Sequence, residues 1–273
     1  MVYVYLLFSL LMWSSMEVLT KPLMQQVDPF FLTFFRFLVG GIFLVIFAKK
    51  KISLKDAGVL ALIGCLNGVV SMSLLQLSIK FSNASTAATL VATNPLFVSI
   101  FAFALGKEKL NFKKFVGVVV GLIGIFVLSY GKVEGDSTFG LICGVGAAIT
   151  FALYTVLMKD FTLKYGSMNA TAFSTLFAGI VYGAILLLAG KLDIPEVALN
   201  GWIILLYSAI FVTGLAYVTF FKAVEKLGPS RASLVFYLKP AVASFFAFLI
   251  LSEPVGIFKF VGTAIIIVAL FIK

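Results

Sequence analysis

The chain has 273 residues, of which 62% are apolar and only 12% are charged, and its formal net charge is +10. A soluble domain of this length exposes too much surface to bury so many apolar side chains. The charged fraction is roughly half of the ~25% that is usual in soluble domains. A soluble fold is therefore excluded, and the composition predicts a membrane protein.

The composition also excludes several kinds of site. The Lys and Arg residues do not form a patch on a polar chain, which excludes nucleic acid as a partner despite the positive charge. Cys65 and Cys143 lie inside apolar runs, where inert thiols are expected and a secreted disulfide framework is not. The chain has no histidine, which excludes histidine-ligated metals, Ser-His triads and histidine proton relays. We expect no cofactor and no metal.

A spanning helix needs about 20 mostly apolar residues, and ten stretches of the chain approach or reach this length. In chain order they are residues 2–21, 29–48, 57–79, 81–106, 115–131, 137–158, 165–190, 197–221, 232–252 and 254–272. The first stretch has no basic segment before it and no cleavage site after it, which predicts a first span rather than a signal peptide. The sequence therefore predicts an all-α polytopic membrane protein of ten transmembrane helices, joined by connections of about seven residues.

The distribution of Lys and Arg predicts the orientation, because short cytoplasmic loops are enriched in these residues. With the N-terminus inside, fourteen Lys and Arg residues fall in the inner loops and the C-terminal tail, and five fall in the outer loops. We therefore expect a multi-pass protein of the cytoplasmic (inner) membrane with both termini in the cytoplasm. The lipid bilayer is accordingly an expected partner of the protein.

The two halves of the chain resemble each other. At a shift of 145 residues the matches include Pro95 with Pro240, segment 101–103 with 246–248, and segment 114–117 with 259–262. At a shift of 138 residues, Val18, Leu19 and Lys21 coincide with Val156, Leu157 and Lys159. The sequence thus predicts two repeats, residues 1–131 with helices 1–5 and residues 137–273 with helices 6–10. Since five is odd, the second repeat is inverted in the membrane, as is typical of secondary transporters with a site near the midplane.

Specific residues add to this pattern. They are the Trp of the first helix in segment 11–15, the Arg-Phe-Leu of segment 36–38, the pattern Pro-Leu-Phe-Val-Ser to Gly-Lys-Glu-Lys-Leu in segment 95–110, and its echo in segment 240–255. Together they resemble the EamA-like family of the drug/metabolite transporter superfamily, over the whole chain. The resemblance implies a central cavity formed by helices 1–4 and 6–9, with helices 5 and 10 to the side. It implies an exporter or exchanger of amino acids, metabolites or drugs. The chain departs from the family in its second repeat, where Thr175 replaces the arginine.

Charged groups inside a membrane are costly and point to function. Glu17 lies four residues before Lys21, a favourable helical spacing, and Arg36 has a similar predicted depth. One hypothesis is a structural network of Glu17 with Lys21 or Arg36. The other is that Glu17 takes up a proton and couples it to transport.

Lys239 lies close to the predicted midplane, and its repeat counterpart is Asn94. Each of the two precedes a proline, Pro95 or Pro240, that interrupts helical hydrogen bonding. These matching sites predict either hinges or a binding site. Lys239 could bind the carboxylate or phosphate of a substrate or pair with Glu17, and the alternative is a lysine that extends to the interface.

Other residues could line a common cavity, although packing or hydrogen bonding between helices would also explain each of them. They are Trp13, Asn67, Tyr154, Tyr217 and Tyr237. Gly117 and Gly121 are four residues apart, which permits close helix approach and so a homodimer.

The leading hypothesis is a secondary transporter that exports or exchanges small metabolites, such as amino acids or other carboxylates, with a proton or a counter-substrate as coupling partner. The alternatives are a multidrug exporter of lipophilic cations and a channel or scaffold. An enzyme is not expected, because the sequence lacks a membrane-embedded acid pair, a HExxH motif and a phosphate-binding loop.

Overall fold

The computed structural model describes residues 1–109, 112–130, 135–252 and 257–272, and these form helices and no strand. The helices are α1 (Val2–Leu23), α2 (Pro29–Val45), α3 (Leu54–Phe81), α4 (Ala84–Ala104), α5 (Phe112–Tyr130), α6 (Thr138–Tyr165), α7 (Ser167–Leu188), α8 (Leu199–Leu227), α9 (Pro229–Leu251) and α10 (Ile257–Phe271). The all-helical prediction is confirmed for these residues. The predicted repeat ends at residues 131 and 273 lie outside the described residues.

Seven of these helices, α1, α3, α4, α6, α7, α8 and α9, are long and apolar enough to cross a membrane. The helix α2 is also apolar but has 17 residues, and α10 contains the shorter apolar stretch Phe260–Ala269. The protein is therefore a multi-pass membrane protein. The count of ten spans stays a prediction.

Side-chain caps start several helices where the sequence changes from polar to apolar. The Asp28 carboxylate accepts hydrogen bonds from the backbone N–H groups of Phe30 and Phe31, and Pro29 occupies the first turn of α2. The hydroxyls of Ser53 and Ser137 cap α3 and α6 in the same way. These contacts satisfy N–H groups that have no partner within the helix.

Two helix connections consist of a single glycine. Gly166 separates α6 from α7 and Gly228 separates α8 from α9, with φ angles of +84° and +82° that side-chain-bearing residues rarely adopt. The helices α6 and α8 consequently extend into charged sequence, past the predicted ends at residues 158 and 221. The expectation of even connections of about seven residues is wrong for these two junctions.

Four helices depart from regular α geometry, at matching places in the two halves. Residues Leu66–Ser71 of α3 and Ser208–Leu215 of α8 form π-helix. The helix α4 is interrupted at residues 92–93, and α9 is 3₁₀-helical over Leu234–Leu238. Pro95 and Pro240 each lie in the first turn of the α-helix that follows the irregular segment. A first turn accepts proline without losing a hydrogen bond, so the prolines mark these breaks.

The helix contacts made by one half of the chain correspond to those made by the other half. The helix α1 packs on α8 and α9, and α6 packs on the corresponding α3 and α4. The helix α2 crosses α7, α4 packs on α9, and α5 packs chiefly on α10. The core therefore lies between the halves, and α5 and α10 form a separate pair beside it.

Gly117 and Gly121 allow close contacts between α5 and other helices of the same chain. A Cβ atom on Gly117 would lie 3.2 Å from the carbonyl oxygen of Ala269 in α10, and one on Gly121 would lie 3.0 Å from the Leu96 side chain of α4. The surface that suggested a homodimer is thus covered by the chain's own helices. The motif therefore gives no support to a homodimer, which stays a prediction.

The helices α2 and α7 cross with their backbones in contact. A Cβ atom on Gly41 would lie 2.5 Å from the Leu176 Cα, and one on Gly179 would lie 2.5 Å from the Leu38 nitrogen. A side chain at either position would have to push the helices apart.

We expect Gly41→Ala to lower the free energy of unfolding by about 1–3 kcal/mol, the usual cost of overpacking. The matched control is Gly58→Ala in α3, where a Cβ atom meets nothing within 4 Å. The control should be neutral or stabilise by up to about 1 kcal/mol, because alanine favours a helix more than glycine does. Thermal unfolding in detergent measures both, and equal melting temperatures would contradict the crossing.

Candidate functional site

A small cavity lies between the two halves, among α1, α2, α3, α4, α6, α8 and α9. Its volume is about 20 Å³, which holds a water molecule and leaves no room for a metabolite. Eleven side chains line it: Trp13, Met16, Arg36, Met72, Leu75, Val91, Ala147, Phe151, Tyr217, Phe236 and Lys239. The seven helices therefore pack tightly around the centre of the molecule in this structure.

Trp13 is the centre of an aromatic cluster in the cavity wall. Its ring stacks on Phe236 with centroids 5.1 Å apart and meets Phe151, Tyr217 and Phe220 edge-on at 5.1–6.0 Å. The indole N–H donates to the carbonyl oxygen of Val212 in α8, at 3.2 Å. This bond joins α1 to the irregular segment of α8, so the ring is held in place against the cavity.

Phe151 and Phe236 line the cavity but were missed as sequence candidates. Phe151 lies 138 residues after Trp13, and Phe236 lies 145 residues after Val91. Tyr217 likewise lies 145 residues after Met72. The cavity wall thus contains residues that the two repeat shifts relate to each other, and applying those shifts to Trp13 would have found Phe151.

Glu17 of α1 forms an ion pair with Lys239 of α9, and both side chains are buried. The hypothesis of a network of Glu17 with Lys21 or Arg36 is therefore wrong about the partner, and the alternative of a Glu17–Lys239 pair is confirmed. Lys239 does not extend to the interface, because its side chain is only 3% exposed. Among the described residues, the second Glu17 oxygen has no hydrogen-bond partner.

Lys21 binds carbonyl oxygens. Its Nζ atom donates to the carbonyl oxygens of Ile79 at 2.7 Å, of Lys80 at 3.4 Å and of Ser82. These groups end α3, where carbonyls lack helical partners and the helix dipole favours a cation. Lys21 therefore ties the end of α1 to the end of α3.

Arg36 is buried in the cavity wall, with 1% of its surface exposed. Its Nε donates to the Thr213 hydroxyl at 2.7 Å, and its two terminal nitrogens face the sulfurs of Met16 and Met72 at 2.6 and 4.0 Å. Thioether sulfur is a weak acceptor. Among the described residues no carboxylate forms an ion pair with Arg36, so the guanidinium lacks the partner it binds best.

The remaining candidates lie outside the cavity wall. Asn94 donates to the carbonyl oxygen of Ala148 at 3.2 Å and so joins α4 to α6. Asn67 and Tyr154 are buried beside Tyr217, behind the cavity wall. Tyr237 does not line the cavity in this structure. It packs on Leu96 and Ile266, because the 3₁₀ turn directs Phe236 to the cavity instead.

Known proteins resemble this chain over nearly its whole length. The EamA-like transporter family matches residues 1–130 and 138–272. An uncharacterized transporter of Clostridium kluyveri is 34% identical over 97% of this chain and 90% of its own length. A WAT1-related chloroplastic protein of Arabidopsis thaliana is 24% identical over 95% of this chain and 66% of its own length. A solved crystal structure superposes with a TM-score of 0.75 over 99% of this chain and 95% of its own, and at 17% identity this likeness concerns the fold.

We expect Glu17→Gln and Lys239→Met each to lower the free energy of unfolding by about 3–5 kcal/mol, because each leaves one buried charge unpaired. The double variant removes both charges and should lose less than the sum of the single variants. The control is Lys164→Met, which breaks a more exposed pair with Asp56 and should leave the melting temperature nearly unchanged, because solvent screens an exposed pair. Strictly additive losses in thermal unfolding would contradict the buried pair.

Proposed function

This chain belongs to the EamA-like transporter family of the drug/metabolite transporter superfamily, and we propose that it carries small carboxylate-bearing metabolites, amino acids among them, across the cytoplasmic membrane. Transport proceeds by alternating access around the central cavity, in the direction of export or by exchange. Both termini lie in the cytoplasm in this proposal.

The buried guanidinium of Arg36 is the observation that carries the proposed substrate class. Arg36 and Lys239 bring two positive charges to the cavity wall, and Glu17 brings one negative charge next to it. A carboxylate can accept two parallel hydrogen bonds from a guanidinium. The present acceptors of Arg36, the Thr213 hydroxyl and two methionine sulfurs, do not offer this paired geometry. An anionic substrate in the opened cavity would therefore neutralise the excess charge.

The aromatic side chains suit the remainder of such a substrate. Trp13, Phe151, Tyr217 and Phe236 surround the cavity beside Arg36. Aromatic rings offer large apolar contact areas, and tyrosine adds a polar hydroxyl group. A small organic acid with an apolar side chain fits walls of this kind.

Two inverted repeats of five spans account for the arrangement of the helices. The helix pairs and irregular segments of one half correspond to those of the other. The two ranges that match the family, 1–130 and 138–272, nearly coincide with the predicted repeats. Both observations support ten spans and a two-fold exchange of conformation, as in other transporters built from inverted repeats.

The alternative of an exporter of lipophilic cations would use Glu17 as its binding group. The ion pair with Lys239 already occupies one oxygen of Glu17 and neutralises its charge. The aromatic rings of the wall would attract a cation, but Arg36 in the same wall repels positive charge. The observed pairing therefore favours a carboxylate.

Exchange in proteoliposomes tests the substrate class. Vesicles holding the purified protein and a panel of amino acids, organic acids and cationic dyes would report which external compound stimulates release. Arg36→Met should weaken the affinity for carboxylates about 10- to 100-fold, since a hydrogen bond to a charged group contributes about 1.5–3 kcal/mol. Arg36→Lys keeps the charge but loses the paired geometry and should fall between.

The matched control is Lys55→Met, which removes an exposed charge remote from the cavity and should leave exchange unchanged. A thermal-shift screen gives an independent readout, because a ligand at 100 times its Kd stabilises the folded state by about 2.7 kcal/mol. Unchanged carboxylate affinity in Arg36→Met would contradict the proposal, as would transport of cationic dyes that Glu17→Gln abolishes.

A further inference from the structure

The two ends of the molecule differ, although the repeats predict that they correspond. At the predicted extracellular end, Lys21 of α1 lies against the last turn of α3 and donates to three carbonyl oxygens there. The start of α4 is next to this contact, because residues 82–83 are the only ones between α3 and α4. The lysine thus joins the end of α1 to the end of α3, beside the start of α4.

At the predicted cytoplasmic end, the corresponding space is an open groove of about 470 Å³. The groove lies between the ends of α4, α6 and α8 and the start of α9. Its lining residues are Glu108, Lys109, Lys159, Glu225, Lys226, Leu227, Gly228 and Arg231. Lys159 therefore faces the last turn of α8 across an open space.

The repeat shifts relate the two places residue by residue. Lys159 is the counterpart of Lys21 at the shift of 138 residues. At the shift of 145 residues, the three residues whose carbonyls bind Lys21 correspond to Val224, Glu225 and Leu227 of α8. Glu225 and Leu227 line the same groove as Lys159.

The contacts of the two lysines are different in this structure. The Lys21 ammonium is bound to the end of its helix partner, whereas the Lys159 ammonium forms no hydrogen bond or ion pair with the described residues. The last carbonyls of α8 attract a cation for the same reason as those of α3, because they end a helix. Both helix ends can therefore bind a lysine, although the groove also contains the charged side chains of Glu225, Lys226 and Arg231.

We propose that Lys21 and Lys159 are alternating gates: Lys21 closes the extracellular end by binding the last carbonyls of α3, and Lys159 closes the cytoplasmic end in the opposite conformation by binding the last carbonyls of α8. When one lysine binds, the other is released. This inference rests on the alternating access of the proposed function, and it assigns the present structure to the state that is closed at the extracellular end.

Thiol labelling in detergent tests the gates without any substrate. Cys65→Ser and Cys143→Ser provide the background. One reporter is Gln76→Cys. The Gln76 side chain is fully buried in α3, one turn before Ile79. The other reporter is Lys109→Cys, which is exposed in the groove. A water-soluble maleimide measures how fast each thiol is reached.

Lys21→Met should open the extracellular end, so that Gln76→Cys is labelled about tenfold faster and Lys109→Cys more slowly, because a charge-assisted contact is lost. Adding Lys159→Met should return both rates toward the starting values, since it weakens the opposite closed state. Lys159→Arg should not have this effect, because it keeps the positive charge and the donors. The control Lys226→Met removes another groove lysine, whose counterpart is Phe81, and should leave both rates unchanged.

Protection of Gln76→Cys in Lys21→Met would overturn the proposal. So would a Lys159→Met effect no larger than that of Lys226→Met. Lys159 lies in an open groove, so its substitution leaves the core packing intact. In the protein that keeps Lys21, Lys159→Met should slow the labelling of Gln76→Cys, because this thiol is reached only in the state that Lys159 closes. This variant therefore tests the gates even where Lys21→Met fails to fold. Rates that shift in opposite directions in a protein that exchanges no carboxylate would support the gates and contradict the proposed substrate class.

Discussion

The membrane interior requires each buried charge to find its partner within the protein. Glu17 and Lys239 meet this requirement by pairing between α1 and α9, and so across the boundary between the two halves. The pair lies beside the cavity and fixes the two helices that carry Trp13 and Phe236. Arg36 is the exception, since a hydroxyl and two sulfurs are its hydrogen-bond partners. The proposed preference for carboxylates follows from this imbalance of charge.

The core is built between the halves rather than within each of them. The helices α2 and α7 cross in backbone contact at Gly41 and Gly179, and α1 and α6 each pack on two helices of the other half. Irregular helix geometry occurs in α3 and α8 and again in α4 and α9, next to the cavity-lining residues. Helix segments of this kind can shift without losing a regular ladder of hydrogen bonds. A closed cavity of about 20 Å³ must open for any metabolite, and these segments are where we propose that it does.

In the proposed function, the two ends of the molecule control access from the membrane surfaces to the opened cavity. Lys21 ties the end of α1 to the end of α3, whereas a groove separates Lys159 from the end of α8. An inverted repeat needs no second mechanism for the opposite state, because each half can adopt the conformation of the other. In the proposed gates, two lysines and the two helix ends that they bind determine which end of the molecule is closed.

Features that depend on neighbouring residues could be predicted from the sequence. These are the apolar length of the spans, the breaks before Pro95 and Pro240, and the choice of Trp13, Arg36, Tyr217 and Lys239 as candidates, all of which line the cavity. Features that depend on distant residues could not. Glu17 suggested Lys21 as its partner, because four residues separate them, but its partner is 222 residues away. A 3₁₀ turn directed Phe236 rather than Tyr237 to the cavity. In both cases the packing of helices decided the outcome, because it determines which side chains meet where water is excluded and a charge has no alternative partner.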